Sequence, residues 1–155
     1  MQFINYFLAS FVSFSGLLMG IVLVKIAPEE QKPLHGYFEL LRKILLFLIF
    51  SFLLFYYSSK LYYIAALLLY LLFIIFLEYN LRDLLKRSMI IYTALGVIFY
   101  LGSKNINLFA IESSLILLYG IATSSLIFSK KDKNYSQIFL YNMGFLLVSS
   151  IAYFL

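Results

Sequence analysis

Apolar residues follow one another in long runs separated by short polar gaps, without the alternation of a membrane β-strand. A helix needs about 20 predominantly apolar residues to cross a hydrocarbon core of ~30 Å. The second and fourth runs are short, so we expect their helices to begin in the polar residues before them. The pattern predicts an all-α integral membrane protein, a bundle of six transmembrane helices with short loops, with spans near 4–27, 43–59, 61–79, 87–103, 108–128 and 137–155.

The composition favours a membrane protein over a soluble domain. Of the 155 residues, 64% are hydrophobic and only 12% are charged, whereas soluble domains have roughly 25% charged residues. No cysteine is present, which excludes disulfides and thiolate chemistry. We therefore predict a single membrane-embedded domain over residues 1–155.

Basic residues accumulate in alternate gaps. The first, third and fifth gaps hold or adjoin ten lysines and arginines, whereas the second and fourth hold only Lys60 and Lys104. Short cytoplasmic loops carry an excess of Lys and Arg. The loops near 28–42, 80–86 and 129–136 are thus predicted to face the cytoplasm. The protein is expected in the cell membrane, with both termini on its outer side. This bias accounts for the net charge of +5, and no nucleic-acid partner is expected.

Two five-residue segments resemble each other. ELLRK at 39–43 and DLLKR at 83–87 match position by position in chemical type, and each stands at the cytoplasmic start of a predicted span. A true repeat would mean a bundle built from helical hairpins. Convergence is the alternative, because an acid complements a helix N-terminus and paired cations satisfy the cytoplasmic bias.

Polar side chains in the fifth and sixth runs form a candidate transport site. An acid within a membrane span indicates a proton or cation site by default. Glu112 lies near the start of its run, however, and this position favours an interfacial anchor that reaches Lys104. The candidate site is Glu112, Ser113, Tyr119, Thr123 and Asn142.

Small residues recur at four-residue spacing in two runs. Gly16 and Gly20 form a GxxxG pair in the first run, and Gly120 and Ser124 repeat the spacing in the fifth. Small side chains let membrane helices approach closely. We predict that these residues are helix-packing contacts, either within the bundle or in a homo-oligomer.

The longest polar stretch, PEEQKPLHGYFELLRK at 28–43, contains the only histidine. Two prolines restrict the backbone of its first part. This rigidity favours a cytoplasmic surface, formed by Glu29, Glu30 and His35, that contacts a partner. A metal site that combines His35 with Glu39 is disfavoured, because borderline metals generally require more than one imidazole or thiolate. No metal or other cofactor is predicted.

No motif for a reaction appears. The chain lacks the GxSxG elbow, the HExxH helix and a phosphate-binding glycine loop, so an enzyme is disfavoured. The sequence favours a non-enzymatic subunit, adaptor or assembly partner of a membrane complex. Its partners would be the lipid bilayer and other membrane proteins or a second copy. The alternative is a small carrier or channel for a proton, ion or small solute along the polar side of the fifth and sixth spans.

Overall fold

The computed structural model describes residues 2–57, 61–81, 83–128 and 135–155. Within these residues, regular structure consists of α-helices and one 3-10 turn at Pro28–Glu30, and the all-helical prediction is confirmed. The helices are α1 (Phe3–Ile26), α2 (Gln31–Tyr57), α3 (Leu61–Asn80), α4 (Leu84–Gly102), α5 (Ile106–Phe128), α6 (Tyr135–Asn142) and α7 (Gly144–Phe154).

In the part of the chain that the structure describes, four helical segments are long and apolar enough to cross a membrane, which indicates a membrane location. They correspond to the first, fourth, fifth and sixth predicted spans. α2 and α3 occupy the second and third predicted spans but are not among the four, and α3 contributes a shorter apolar segment. The four segments are Phe3–Ile26, Leu84–Gly102, Ile106–Phe128 and Ser136–Phe154.

The polar residues near 28–42 form less of a loop than the sequence predicts, because the expected helical extension before the second apolar run begins earlier. α2 begins at Gln31 and continues for 27 residues, so most of the polar stretch is helical. Pro33 is accommodated because it lies in the first helical turn, where its missing N–H would have no helical partner. Only the short segment that includes the 3-10 turn separates α1 from α2.

Of the other two predicted cytoplasmic loops, the one near 80–86 is short and the one near 129–136 lies mostly outside the described residues. α3 ends at Asn80 and α4 begins at Leu84, and the side chain of Asp83 accepts a hydrogen bond from the backbone N–H of Leu85 at 3.0 Å. This bond satisfies one of the free donors at the start of α4. Most of the loop at 129–136 lies outside the described residues, and α6 begins at Tyr135.

Side chain to backbone bonds show that alternate helices run in the same direction. Ser13 Oγ donates to the carbonyl of Ser113 at 3.1 Å, and Ser125 Oγ donates to that of Gly20 at 3.3 Å, so α1 is parallel to α5. Tyr57 in the last turn of α2 donates to the Leu101 carbonyl at the end of α4. We call the end of the bundle where α2 and α4 begin, and α1, α3 and α5 end, the basic end.

The closest packing joins helices that are not consecutive in the chain, although α4 also packs on α5 and α2 on α3. The most extensive contacts join α1 to α5, α2 to α5 and α4 to α7. The two similar segments also have different local roles, because Glu39 pairs with Lys43 inside α2 whereas Asp83 caps α4. The packing therefore gives no support to an array of repeated hairpins, and α5 is the central helix.

Candidate functional site

The four small residues predicted for helix packing meet in the α1–α5 interface. A Cβ on Gly16 would overlap the carbonyl oxygen of Leu117, and a Cβ on Gly20 would overlap Ser124 Oγ. A Cβ on Gly120 would lie 2.9 Å from the carbonyl carbon of Gly16. The two helices can approach this closely only because those side chains are absent. The contact lies within one chain, and it buries all four residues.

Glu112 is completely buried in α5. Its relative exposure is 0%, and neither carboxylate oxygen has a hydrogen-bond partner. It packs against the end of α4, where a Cβ on Gly102 would lie 3.3 Å from Glu112 Cγ. The pairing with Lys104 that the sequence favoured is absent, because neither oxygen of Glu112 has a partner. The Lys104 ammonium lies 5.2 Å from the centroid of the Tyr100 ring. Glu112 is therefore a carboxyl group buried among the helices, without the ion pair to Lys104.

The remaining candidate polar residues do not form one cluster with Glu112. Tyr119 and Thr123 follow it at helical spacing on one face of α5, but Thr123 stands ~16 Å further along the axis. Ser113 bonds to the carbonyl of Phe109 in its own helix at 2.6 Å. Asn142 is buried on α6, where its amide donates to the Ile138 carbonyl at 2.7 Å. The structure thus distributes polar groups along the bundle interior.

The predicted cytoplasmic contact falls on two adjoining elements. Glu29 and Glu30 are exposed in the 3-10 turn, while His35 is half-buried in the second turn of α2. Among the described residues, no group of three or more His, Asp or Glu side chains is arranged to hold a metal ion. The acids and the histidine remain candidates for a surface contact.

Sequence reasoning missed a cavity at the basic end. Its volume is about 440 Å³, and it lies between α2, α3, α4 and α5. Arg42 is the largest fully buried side chain, at 2% exposure, and Arg87 is half-buried in the first turn of α4. The polar part of the lining consists of Glu39, Arg42, Lys43, Tyr79, Arg87 and Tyr119.

Glu39 and Lys43 form an ion pair at the rim of this cavity. The Lys43 ammonium donates to Glu39 Oε1 at 3.2 Å, and both side chains are about half exposed. This hydrogen bond lowers the pKa of the Glu39 carboxyl below its usual value. An exposed pair one helical turn apart contributes only about 0.3–0.5 kcal/mol to stability. The pair therefore matters more for the charge at the rim than for the fold.

One signal in the sequence could have indicated the cavity. Arg42 and Arg87 stand near the starts of two apolar runs that are predicted to point the same way, so both lie at one end of the bundle. The sequence alone assigned both residues to topology, because it could not show that one of them is buried.

Comparisons with known proteins identify no relative. No family model matches the chain, and neither curated proteins nor solved structures provide a significant match. The function has to be argued from the geometry of these residues.

Proposed function

We propose that the protein is a small carrier or channel that binds a proton or small cation at Glu112 within the membrane. The supporting observation is a fully buried carboxyl group with no hydrogen-bond partner on either oxygen. We also propose that the protein lies in the cell membrane with its basic end in the cytoplasm, because lysine and arginine collect at that end.

The physical argument rests on the cost of a buried charge. An isolated ionised carboxylate in an apolar interior is strongly disfavoured, so the group must be neutralised by a bound proton or by a cation. A helix interior offers no free N–H donor that could take this role. Tyr119 and Thr123 extend the polar face of α5 from Glu112 toward the basic end, which gives a moving charge further polar contacts.

The test is an ion flux measured in liposomes that contain the purified protein. Proton, sodium and potassium gradients are imposed in turn and followed with dyes that report pH or membrane potential. We expect a flux above that of empty liposomes, reduced about tenfold or more by Glu112→Gln because the neutral amide cannot exchange a proton. Glu30→Gln is the matched control, since it removes an exposed acid.

Two results would contradict the proposal. One is a wild-type protein that conducts none of these ions, and the other is a folded Glu112→Gln variant with an unchanged flux.

A second candidate is a non-enzymatic subunit, adaptor or assembly partner. The observation that favours it is the limited packing of α3, in which Leu67 and Ile74 are the buried side chains among those that the structure describes. Exposed apolar side chains on the same helix, such as Leu69, Leu72 and Phe76, are open to a partner helix. Purification in a gentle detergent should then yield one membrane protein in fixed ratio, which substitution of Leu72 and Phe76 by alanine releases. Stoichiometric recovery that is unaffected by these α3 variants would argue against this role for α3.

A further inference from the structure

We propose that the cavity at the basic end binds the phosphate-bearing headgroup of an anionic membrane lipid, with part of a hydrocarbon chain between α2 and α3. The proposal goes beyond cation binding at Glu112, which lies toward the opposite end of α5. It rests on three features of the cavity: a cationic end, an apolar end and a lateral opening.

The polar end suits a phosphate group. Among the lining side chains that the structure describes, Arg42, Lys43 and Arg87 are cationic and Glu39 is the one carboxylate. A guanidinium presents forked N–H donors that match phosphate oxygens, and the lysine adds a point charge. Glu39 already accepts a bond from Lys43 at 3.2 Å on the half-exposed rim, so its charge is screened more than a buried one would be.

The apolar end explains why the ligand is a lipid rather than a free phosphate ion. Below the cations, the walls are hydrocarbon and aromatic side chains from two antiparallel helices. From Arg42 to Phe50 the lining extends ~12 Å along α2, which is deeper than a phosphate group needs. The residues are Leu46, Phe47 and Phe50 on α2, with Leu71, Ile74 and Ile75 on α3.

The cavity opens to the side of the bundle. Phe47 and Tyr79 line it from α2 and α3, yet 65% and 84% of their surfaces are exposed. The gap between these helices therefore communicates with the surrounding membrane, and a lipid can enter sideways. Arg42 and Lys43 directly precede the apolar run of α2, so they stand where lipid headgroups meet hydrocarbon. Basic pockets between membrane helices at this depth are suited to anionic headgroups.

The volume fits this assignment. The cavity of about 440 Å³ falls within the roughly 300–1,000 Å³ of small-molecule sites. It can hold a headgroup and the first part of one chain, while the remainder of the lipid stays in the bilayer.

The test is a binding titration of the purified full-length protein in neutral detergent. The probes are phosphatidylglycerol, phosphatidylcholine and inorganic phosphate, and bound lipid is counted by native mass spectrometry. We expect phosphatidylglycerol to bind about tenfold or more tightly than either other probe. Lys43→Gln and Arg87→Gln should each weaken binding about fivefold, the usual effect of one cation near an anionic lipid. Lys104→Gln removes a lysine at the opposite end and should leave the affinity unchanged.

Other variants complete the design. Arg42→Gln could prevent folding because the side chain is buried, so the circular dichroism of this variant is measured first. If the variant is unfolded, the lipid affinity of Lys43→Gln tests the role of the cations instead. Glu39→Gln removes the negative charge at the rim and should tighten lipid binding about two- to fivefold.

Four results would overturn the proposal. Inorganic phosphate that binds as tightly as the lipid would show a site for a soluble anion. Equal affinity for phosphatidylcholine, or equal loss in Lys104→Gln and Lys43→Gln, would show adsorption without a site. Weaker binding by Glu39→Gln would mean that the ligand is a cation.

Discussion

At the scale of single residues, α5 shows how a membrane helix accommodates polar groups and where it fails to do so. Ser114, Ser124 and Ser125 each donate to a carbonyl one turn earlier in their own helix. A hydroxyl can do this anywhere in a helix because it carries a proton and the carbonyl retains a lone pair. An ionised carboxylate only accepts, and interior N–H groups are already bonded. Glu112 is therefore left without a partner in the same helix that satisfies its serines.

This difference predicts that Glu112 lowers the stability of the fold. Glu112→Leu should raise the free energy of unfolding by about 1–3 kcal/mol, because it removes a buried polar group that has no partner. Thermal unfolding in detergent, followed by circular dichroism, measures the change, and Glu30→Leu at an exposed site should leave stability almost unaffected. A lower melting temperature for Glu112→Leu would mean that the carboxyl group stabilises the bundle.

At the scale of elements, small residues determine which helices can become neighbours. α1 and α5 are distant in sequence, yet they approach closely because Gly16, Gly20 and Gly120 leave their backbones bare. The GxxxG spacing was visible in the sequence as a packing signal, but its partner was not. Intrachain and homo-oligomeric contacts use the same small residues, so the pattern could not distinguish between them.

Two glycine substitutions with identical chemistry should have opposite effects. Gly16→Ala places a methyl group on the Leu117 carbonyl and should destabilise the bundle by about 1–3 kcal/mol. Gly36→Ala in α2 meets nothing within 4 Å, so it should stabilise the protein by about 0.5–1 kcal/mol through helix propensity. Chemical or thermal unfolding of the two variants tests the pair. Equal shifts would show that α1 and α5 are not in close contact.

At the scale of the whole molecule, alternating helix direction gathers the charged residues at one end. The parallel pairs α1–α5 and α2–α4 bring Lys43 and Arg87 to the same cavity, although they come from different gaps in the sequence. The same arrangement puts Glu112 toward the other end of α5. Glu112 and the cavity therefore lie apart along α5, although Tyr119 belongs both to the polar face that leads from Glu112 and to the cavity lining.

The proposed orientation can be tested with single cysteines, because the natural chain contains none. Glu30→Cys and Lys104→Cys place exposed thiols at opposite ends of the bundle. A maleimide that does not cross membranes should label the cysteine at position 104 in intact cells and the one at position 30 only after permeabilisation. The reverse result would invert the orientation, and labelling of both from outside would contradict alternating spans.

The helical class and the approximate positions of the apolar helices were predictable from the sequence, because long apolar runs admit few other structures in a bilayer. It also singled out Glu112 and the small-residue pairs. The extent of α2 was less predictable, since the prolines and glycine around His35 are typical of a loop but are tolerated in the first turns of a helix.

Which side chains are buried, and which of them are in contact, became known from the packing of the helices. Helix rotation and the identity of the neighbouring helices determine the burial of Glu112 and the partner of the Gly16 and Gly20 pair. They also determine the cavity around Arg42 and Arg87. Local sequence constrains these poorly in a membrane, because lipid and protein interiors are equally apolar and hydrophobicity does not mark the packed face.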